Sequence, residues 1–370
     1  MSQQFVLPAY QDRSLGDVVP AIGRALGLLP DSPLSLPEAA GYVVLLVDGL
    51  GARLLERYAD AAPYLSSLLA GQRPGTAGVP STTATSLTSF GTGLPPGTHG
   101  LVGYTSRIPG TDTLLNALQW SKEVDPHEWQ PHPTAFQALR SLGGTVTVVN
   151  RREFVGTGLT EASQRGASYV GADMVGERIA AALTVSAEPR SITYLYDGDL
   201  DRTGHRHGVA SSAWLQQLSM IDAEAEQLRD ALPRSVRLLV VADHGMVDSP
   251  PESRLDVAEH PELRDGLVLF GGEARLRHLY CAGGAVSAVV DAWRSVLGER
   301  ATVLTREEAV GRNWFGPVTP AVLPRLGDVV VAAHDDFAVI SSTDFPYEAT
   351  LVGLHGSLTP DEMLIPILVD

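Results

Sequence analysis

The sequence contains a single cysteine, has few basic residues for its acidic content, and has no long apolar run. Because Cys281 is alone, an intrachain disulfide is impossible and a zinc site built on cysteines is excluded. The 27 basic and 43 acidic residues give a formal net charge of −16, which argues against binding to duplex nucleic acid or an anionic membrane. No stretch approaches the roughly 20 apolar residues of a transmembrane helix, and residues 1–10 do not have the pattern of a secretory signal. We therefore expect a cytoplasmic protein.

Length and composition indicate an α/β enzyme with a large and a small domain. The chain has 370 residues, 44% of them hydrophobic, and its 37 glycines and 25 prolines follow no period. A chain of this length exceeds the size at which one hydrophobic core keeps growing. We assign a catalytic α/β core to residues 1–250, completed by 346–370, and a small α+β cap or insert to residues 251–345.

Short apolar runs that alternate with helical patterns predict a central, mostly parallel sheet. The runs 42–47, 192–196 and 237–242 are each followed at once by aspartate, and then by glycine or histidine. Parallel strands present their carboxyl ends at one edge of a sheet, where ligands bind, so we expect these aspartates to meet there. The Gly-x-Gly after the first run does not continue as a dinucleotide fingerprint, because Leu54 stands in place of its third glycine.

The most polar stretch, residues 194–208, holds three aspartates and two histidines directly after a predicted strand. We interpret it as a loop. Aspartate and glycine favour turns for local reasons alone, so a solvated loop is one interpretation. Asp201 and His205 stand four residues apart and offer the oxygen and nitrogen ligands that divalent cations bind, which makes a metal site the other interpretation.

Residues 78–93 are rich in serine and threonine and are either a low-complexity linker or the start of a helix. Leu87 and Phe90 have the spacing of a buried helical face, and the hydroxyl residues before them are good N-cap residues. A hydroxyl at such a position lies among free N–H groups at the positive end of the helix dipole, which suits a phosphate.

Seven residues at predicted strand ends or helix starts are candidates for a catalytic site. They comprise three carboxylates, three imidazoles and one hydroxyl. They are Asp48, Thr83, Asp201, His205, Asp243, His244 and His355. Two zinc ions, each held by three protein ligands plus the hydroxyl or a water, would use them all. Paired metals of this kind clamp the attacking and leaving oxygens in phosphoryl transfer.

These segments resemble the alkaline phosphatase superfamily, most closely its type I phosphodiesterase/nucleotide pyrophosphatase branch. The matching pieces occur in the family's order. They are Val47-Asp48-Gly49, Pro80-Ser81-Thr82-Thr83, residues 201–208, residues 242–246, and His355-Gly356 followed by Glu362-Met363. The resemblance implies an alkaline-phosphatase-like three-layer sandwich and a phosphoric ester hydrolase acting on a small phosphate ester or a nucleotide-like substrate.

The resemblance also implies two divalent-metal sites. One would be formed by Asp201, His205 and His355. The other would be formed by Asp48, Asp243 and His244. Thr83 would lie beside the second site as the nucleophile, forming a covalent phospho-threonine (nucleotidyl-threonine with a nucleotide substrate) that water hydrolyses. We expect Zn²⁺ in both sites, with Mn²⁺ or Fe as alternatives.

The sequence departs from the family at Tyr104. This residue stands where the family has an asparagine that donates a hydrogen bond to a phosphate oxygen. A phenol can also donate one hydrogen bond, so we predict that Tyr104 contacts the substrate. Two alternatives to the phosphodiesterase stay open, namely a phosphomonoesterase and a non-catalytic metal-binding protein. The sequence predicts no oligomeric state.

Overall fold

The computed structural model describes residues 5–370, and its elements lie close to the apolar runs of the sequence. The strands in this part of the chain are β1 Gly41–Val47, β2 Gly75–Thr76, β3 Thr105–Arg107, β4 Leu114–Asn116, β5 Thr145–Asn150, β6 Ser168–Gly171, β7 Ser191–Asp197, β8 Val236–Ala242, β9 Val247–Asp248, β10 Arg254–Asp256, β11 Leu267–Glu273, β12 Leu276–Cys281, β13 Ala301–Thr305, β14 Val329–Ala333, β15 Ala338–Ile340, β16 Gly353–Leu354, β17 Leu364–Ile365 and β18 Ile367–Val369.

Helices connect most of these strands. The α-helices are α1 Val18–Ala25, α2 Ala52–Arg57, α3 Pro63–Leu69, α4 Thr83–Thr92, α5 Pro96–His99, α6 Pro126–Trp129, α7 Ala135–Ser141, α8 Gly158–Ser163, α9 Val175–Val185, α10 Asp199–His207, α11 Ser212–Ala231, α12 Val286–Leu297, α13 Arg306–Gly311 and α14 Pro360–Met363. Short 3-10 helices are Leu15–Asp17, Ala59–Ala61, Arg152–Phe154, Pro251–Ser253, Val257–Glu259, Pro261–Leu263, Gly298–Arg300, Leu323–Arg325 and Glu348–Thr350. In residues 5–370, no helix combines the length and apolarity needed to cross a membrane.

The central sheet has six strands in the order β18-β8-β1-β7-β5-β6. Only β18 runs antiparallel to its neighbour, and the other adjacent pairs are parallel. Every residue of β1 is buried, as expected for a middle strand of a parallel sheet with both faces covered. The predicted α/β class with a mostly parallel central sheet is confirmed.

The register of the middle strands brings their carboxyl ends level. Val47, the last residue of β1, pairs with Asp197 on one side and with Ala242 on the other. The N–H of Asp48 donates to the carbonyl of Asp197 at 2.8 Å. Asp48 and Asp243 therefore leave adjacent strands side by side, at the edge where the sequence predicts a site.

A second sheet lies within residues 251–345 and is antiparallel throughout, in the order β11-β12-β14-β13. Its two faces pack differently because side chains alternate along a strand. Val329 and Val331 lie in a hydrophobic cluster with α12, whereas Val330 and Ala332 join the main core. The insert is thus packed on the catalytic core, while its exact boundaries at 251 and 345 stay a prediction.

A buried ion pair connects the insert to the C-terminal segment of the core. Arg275, between β11 and β12, donates from Nε to Oε1 of Glu362 at 2.7 Å and from Nη2 to Oε2 at 2.8 Å, and both side chains are fully buried. Glu362 also accepts from the N–H of Ser357 and the hydroxyl of Thr359. Such a pair is tolerated in a core because additional hydrogen bonds satisfy the charges.

Two local predictions are wrong. The acidic stretch predicted as a loop forms helix α10, which turns Leu200 and Gly204 inward and carries aspartates in its first turn and histidines in its last, the arrangement that a helix dipole favours. The apolar run 362–369 is typical of one continuous strand, but strand structure begins only at Leu364. The two residues before it complete α14, which Pro360 starts, and Pro366 separates β17 from β18.

Candidate active site

Five of the six predicted ligands meet above the carboxyl ends of β1 and β8. One ligand atom each from Asp48, Asp243 and His244 lie within 4.8 Å of one another, and the same holds for Asp201, His244 and His355. Asp201 reaches this point from α10, and His355 from the segment after β16. Four distant parts of the sequence thus converge on one cluster, and His244 belongs to both of its groups of ligands.

The sixth predicted ligand, His205, lies at the edge of the same cluster. It stands one helical turn after Asp201 on α10, and its Nε2 is 3.2 Å from the Oδ2 of Asp201. Its ring centroid is 5.1 Å from that of His355. The tighter group around Asp201 contains His244 instead, so the assignment of His205 as a metal ligand stays a prediction.

All three histidines are held so that Nε2 faces the cluster. In each ring Nδ1 donates to a main-chain carbonyl. The pairs are His205 to Gly353 at 2.7 Å, His244 to Gly245 at 2.9 Å and His355 to Ser81 at 3.0 Å. A carbonyl can only accept, so Nδ1 carries the proton and a neutral ring keeps its lone pair on Nε2. This is the tautomer that an Nε2 metal ligand requires.

The aspartates of the cluster have oxygens without partners. Within residues 5–370, Asp48 Oδ1, Asp201 Oδ1 and Asp243 Oδ2 are buried and accept no hydrogen bond. Burial raises the pKa of Asp243 to about 7, with a further contribution from Asp201, and it raises the pKa of Asp48 well above its usual range. Leaving such charges unpaired is costly, and bound divalent cations would offset that cost by favouring the ionised carboxylates. The chemistry of these residues fits divalent cations.

The histidine-rich half of the cluster has a different charge balance. Burial alone would raise the pKa of Asp201, but His205 and His355 beside it hold that pKa below its usual value. Burial also opposes the charged form of His205, yet Asp201 raises the pKa of His205 to about 9. For His355, burial and the adjacent His244 lower the pKa well below its usual range, so this ring is neutral and free to bind a metal.

Thr83 presents its hydroxyl to this cluster from the start of α4. Its Oγ1 lies 3.3 Å from His244 Nε2 and 3.4 Å from Asp48 Oδ2. The N–H groups of the first turn have no carbonyl partner within the helix, so they are available to a ligand at the helix start. Nearby hydroxyls serve other purposes, since Ser81 donates to the carbonyl of Ser357 and Ser86 to that of Asp243. The helix start predicted at Thr83 is confirmed.

Comparison with known proteins supports the same assignment. The sequence profile described as Type I phosphodiesterase / nucleotide pyrophosphatase matches residues 42–358. The chain belongs to this family. It is accordingly a metal-dependent hydrolase of phosphoric esters. A search of the curated protein sequences finds no significant match.

Solved structures share the fold of this family member. Murine ectonucleotide pyrophosphatase/phosphodiesterase 5 is 16% identical, with a TM-score of 0.68 over 89% of this chain and 87% of that one. An inactive form of the murine protein has been solved in complex with AMP. Phosphonoacetate hydrolase from Sinorhizobium meliloti 1021, in complex with phosphonoformate, is 18% identical, with a TM-score of 0.67 over 90% of each chain. The alkaline-phosphatase-like architecture is therefore confirmed.

Tyr196 is a site residue that the sequence analysis missed. Its hydroxyl donates to Oδ2 of Asp48, so it orients a predicted metal ligand of this hydrolase. Burial raises the pKa of Tyr196 well above its usual range, and the neighbouring Asp48 adds to the shift, so the phenol keeps its proton. Tyr196 lies in β7, next to β1 and one residue before its end, and that position is the only hint the sequence offers.

Replacing Tyr196 by phenylalanine is expected to weaken metal binding about tenfold, because partners that orient a ligand typically contribute this much or more to metal affinity. Calorimetric titration of the metal-free protein with Zn²⁺ would measure the effect. Tyr194 supplies the matched control, since it lies two residues earlier on the same strand and its hydroxyl makes no hydrogen bond within residues 5–370. Equal affinities for Tyr196→Phe, Tyr194→Phe and the unmodified protein would contradict the orienting role.

Gly49 shows why a glycine follows the first aspartate of the site. Its φ of +75° lies in the left-handed region. A Cβ there would stand 3.1 Å from the Cα and Cβ of Asp201. Only glycine combines this backbone with such a close approach, so the position sets how near α10 lies to β1.

Tyr104 lies near Glu273 and Glu348, and its hydroxyl oxygen already accepts one hydrogen bond. The Tyr104 oxygen accepts from Nδ2 of Asn116 at 2.7 Å, which leaves its own proton free to donate. Burial raises the pKa of Tyr104, and the carboxylates of Glu348 and Glu273 nearby raise it further. The tyrosine is therefore a neutral donor, and its contact with substrate stays a prediction.

Proposed function

We propose that this protein is a two-metal phosphodiesterase or nucleotide pyrophosphatase that acts through a covalent phospho-threonine on Thr83. The observation that carries the proposal is the position of Thr83 Oγ1, 3.3 Å from His244 Nε2 and 3.4 Å from Asp48 Oδ2, at the free N-terminus of α4. A hydroxyl so placed can approach phosphorus while the N–H groups of the first turn donate to the phosphoryl oxygens.

The proposed metal ligands are the six aspartates and histidines of the cluster. Three unpaired carboxylate oxygens and three histidines that present Nε2 support this set. When bound, divalent cations supply positive charge that stabilises the phosphoryl oxygens and favours loss of the hydroxyl proton. We propose Zn²⁺, because mixed imidazole and carboxylate sites suit it, with Mn²⁺ or Fe as alternatives. Cytoplasmic location likewise stays a prediction.

The chain's own residues suffice to describe the nucleophilic step. Thr83 Oγ1 forms a bond to phosphorus, the ester oxygen on the opposite side departs with the bonding electrons, and the hydroxyl proton leaves Oγ1. Because His244 Nε2 would hold a metal, Asp48 Oδ2, 3.4 Å from Oγ1, is the basic atom that takes this proton. A water molecule then attacks the same phosphorus, releases Thr83, and gives the phosphate product.

The proposed substrate is a small nucleotide-like diester or phosphoanhydride. Family membership supports this class, and the AMP complex of the murine protein shows that the shared fold can hold a nucleotide. The net charge of −16 does not argue against an anionic substrate, because bound divalent metals would reverse the sign of the electrostatic field locally.

Metal analysis combined with paired chromogenic substrates tests the proposal. We expect about two divalent ions per chain and a higher kcat/KM for bis-p-nitrophenyl phosphate than for p-nitrophenyl phosphate. A preference for the monoester would instead place the protein with the phosphomonoesterases. Full metal content without turnover of either ester would indicate the non-catalytic alternative, and absence of both metal and activity after reconstitution would overturn the proposal.

A further inference from the structure

Glu273, the last residue of β11, is a buried carboxylate that forms no ion pair within residues 5–370. Its residue exposure is 6%. Within residues 5–370 neither carboxyl oxygen accepts a hydrogen bond of normal geometry, and the polar groups nearest to them are the hydroxyl of Thr82 and the N–H of Tyr104. An unpaired buried carboxyl is costly, so a function for it has to be sought in what it faces.

Contacts on two sides place the Glu273 carboxyl at the edge of the catalytic cluster. A Cβ on Gly356 would lie 2.6 Å from Cγ and 3.1 Å from Cδ of Glu273, so the side chain fills the space above that glycine. A second contact is Thr82. Gly356 follows His355 directly, and Thr82 precedes the proposed nucleophile. The carboxyl therefore lies one residue away from each of two groups of the site, although it belongs to the insert.

Arg277, the cation that acts on Glu273, is engaged mainly by other groups. Arg277 on β12 is paired with Glu348 and also donates from Nε to a carbonyl at 2.9 Å. His278 uses both ring nitrogens on main-chain groups, and burial lowers its pKa to about 4, so it is neutral. Glu348 adds a second negative charge on the same side. These three residues and the phenol of Tyr104 are ionisable groups that face this position.

We propose that Glu273 determines specificity by disfavouring doubly charged phosphate monoesters relative to singly charged diesters at the Thr83 site. The inference rests on the proposed function of that site. A monoester carries one more negative charge than a diester on its non-bridging oxygens, and a buried carboxylate at the edge of the site repels that extra charge across a medium of low dielectric constant. The preference for diesters would then arise from electrostatic repulsion between the monoester and Glu273 of the insert.

The carboxyl has to be charged to repel a substrate. In the metal-free protein, burial raises the pKa of Glu273 to about 8, and Glu348 adds to the shift. Bound cations would lower that pKa, so the carboxyl is charged at pH 9.

The test compares the metal-loaded wild-type protein with the variant Glu273→Gln at pH 9, using bis-p-nitrophenyl phosphate and p-nitrophenyl phosphate. We expect the ratio of their kcat/KM values to fall about tenfold in the variant, which corresponds to about 1.4 kcal/mol, through a faster monoester reaction. Glu299 is the matched control, because it is an exposed carboxylate of the same insert. Glu299→Gln removes the same charge and should leave the ratio unchanged.

Binding provides a second readout that does not depend on turnover. Inorganic phosphate, which is mostly a dianion at pH 9, should inhibit Glu273→Gln about tenfold more tightly than wild type, whereas inhibition by dimethyl phosphate should be unchanged. An unchanged ratio in the variant would overturn the proposal. So would equal losses on both esters together with a lower melting temperature. If wild type cleaves neither ester, the proposed function fails first, and this inference fails with it.

Discussion

Replacing Thr83 by alanine is expected to lower kcat by at least about a thousandfold while leaving the metals bound, because loss of the nucleophile of a covalent mechanism removes most of the catalysis. The side chain is small and lies at a helix start, so the fold should survive the change. The measurement is kcat on bis-p-nitrophenyl phosphate together with the metal content of the same preparation. Thr83→Ser, which keeps a hydroxyl, should retain part of the activity.

Thr85 provides the control for this experiment. It lies on the same helix and is fully buried, and its hydroxyl has no hydrogen-bond partner in residues 5–370. Thr85→Ala should therefore keep kcat within severalfold of the unmodified protein. If Thr83→Ala retained a few per cent of normal turnover or more, another group would have to be the nucleophile. If it lost its metals as well, the hydroxyl would matter for metal binding and its catalytic role would need separate evidence.

Removal of metal by a chelator is expected to abolish hydrolysis, and added Zn²⁺ is expected to restore it. The groups within 4.8 Å of each other in the cluster are aspartates and histidines, so the positive charge that stabilises the phosphoryl oxygens would come from the cations. Without metal, three buried carboxylate oxygens have nothing to bind. We therefore also expect the metal-free protein to melt at a lower temperature, since a ligand that binds only the folded state stabilises it.

The chelation experiment can also identify the metal. Reconstitution with Zn²⁺, Mn²⁺ or Fe²⁺ in parallel should give the highest kcat/KM with Zn²⁺ if the ligand set has been assigned correctly. Tyr196→Phe should need more metal for half-maximal recovery than Tyr194→Phe. Full activity in protein shown to contain no metal would contradict the two-metal proposal outright.

The sequence predicted those parts of the site that depend on local order along the chain. Asp48 and Asp243 could be located because each follows an apolar run, and strands with such runs lie side by side in register. Thr83 could be placed at a helix start from the buried spacing that follows it. The motif order then suggested the roles of Asp201 and His355.

Other parts of the site depend on packing between distant segments, which no local pattern encodes. The polar residues 199–207 lack an apolar stripe, and they form α10 because Leu200 packs inward and the charges suit the helix ends. Tyr196 became recognisable only when β7 was found next to β1. Glu273 stands 190 residues after Thr83 in the sequence, and no sequence pattern predicted the strand that contains it. Its position near the site therefore depends on the tertiary structure alone.

The segment from Gly353 to Glu362 connects the catalytic core with the insert. Its carbonyl at Glu362 accepts from the N–H of Gly245 at 2.8 Å, next to His244, and its Glu362 side chain binds Arg275 of the insert. The insert is therefore not an interchangeable module. Recombination between relatives that replaced residues 251–345 alone would separate a buried arginine from its glutamate. The segment next to His355, which contains that glutamate, would then lose a stabilising contact. Descendants that acquire a new insert must inherit, or re-evolve, this C-terminal segment together with it.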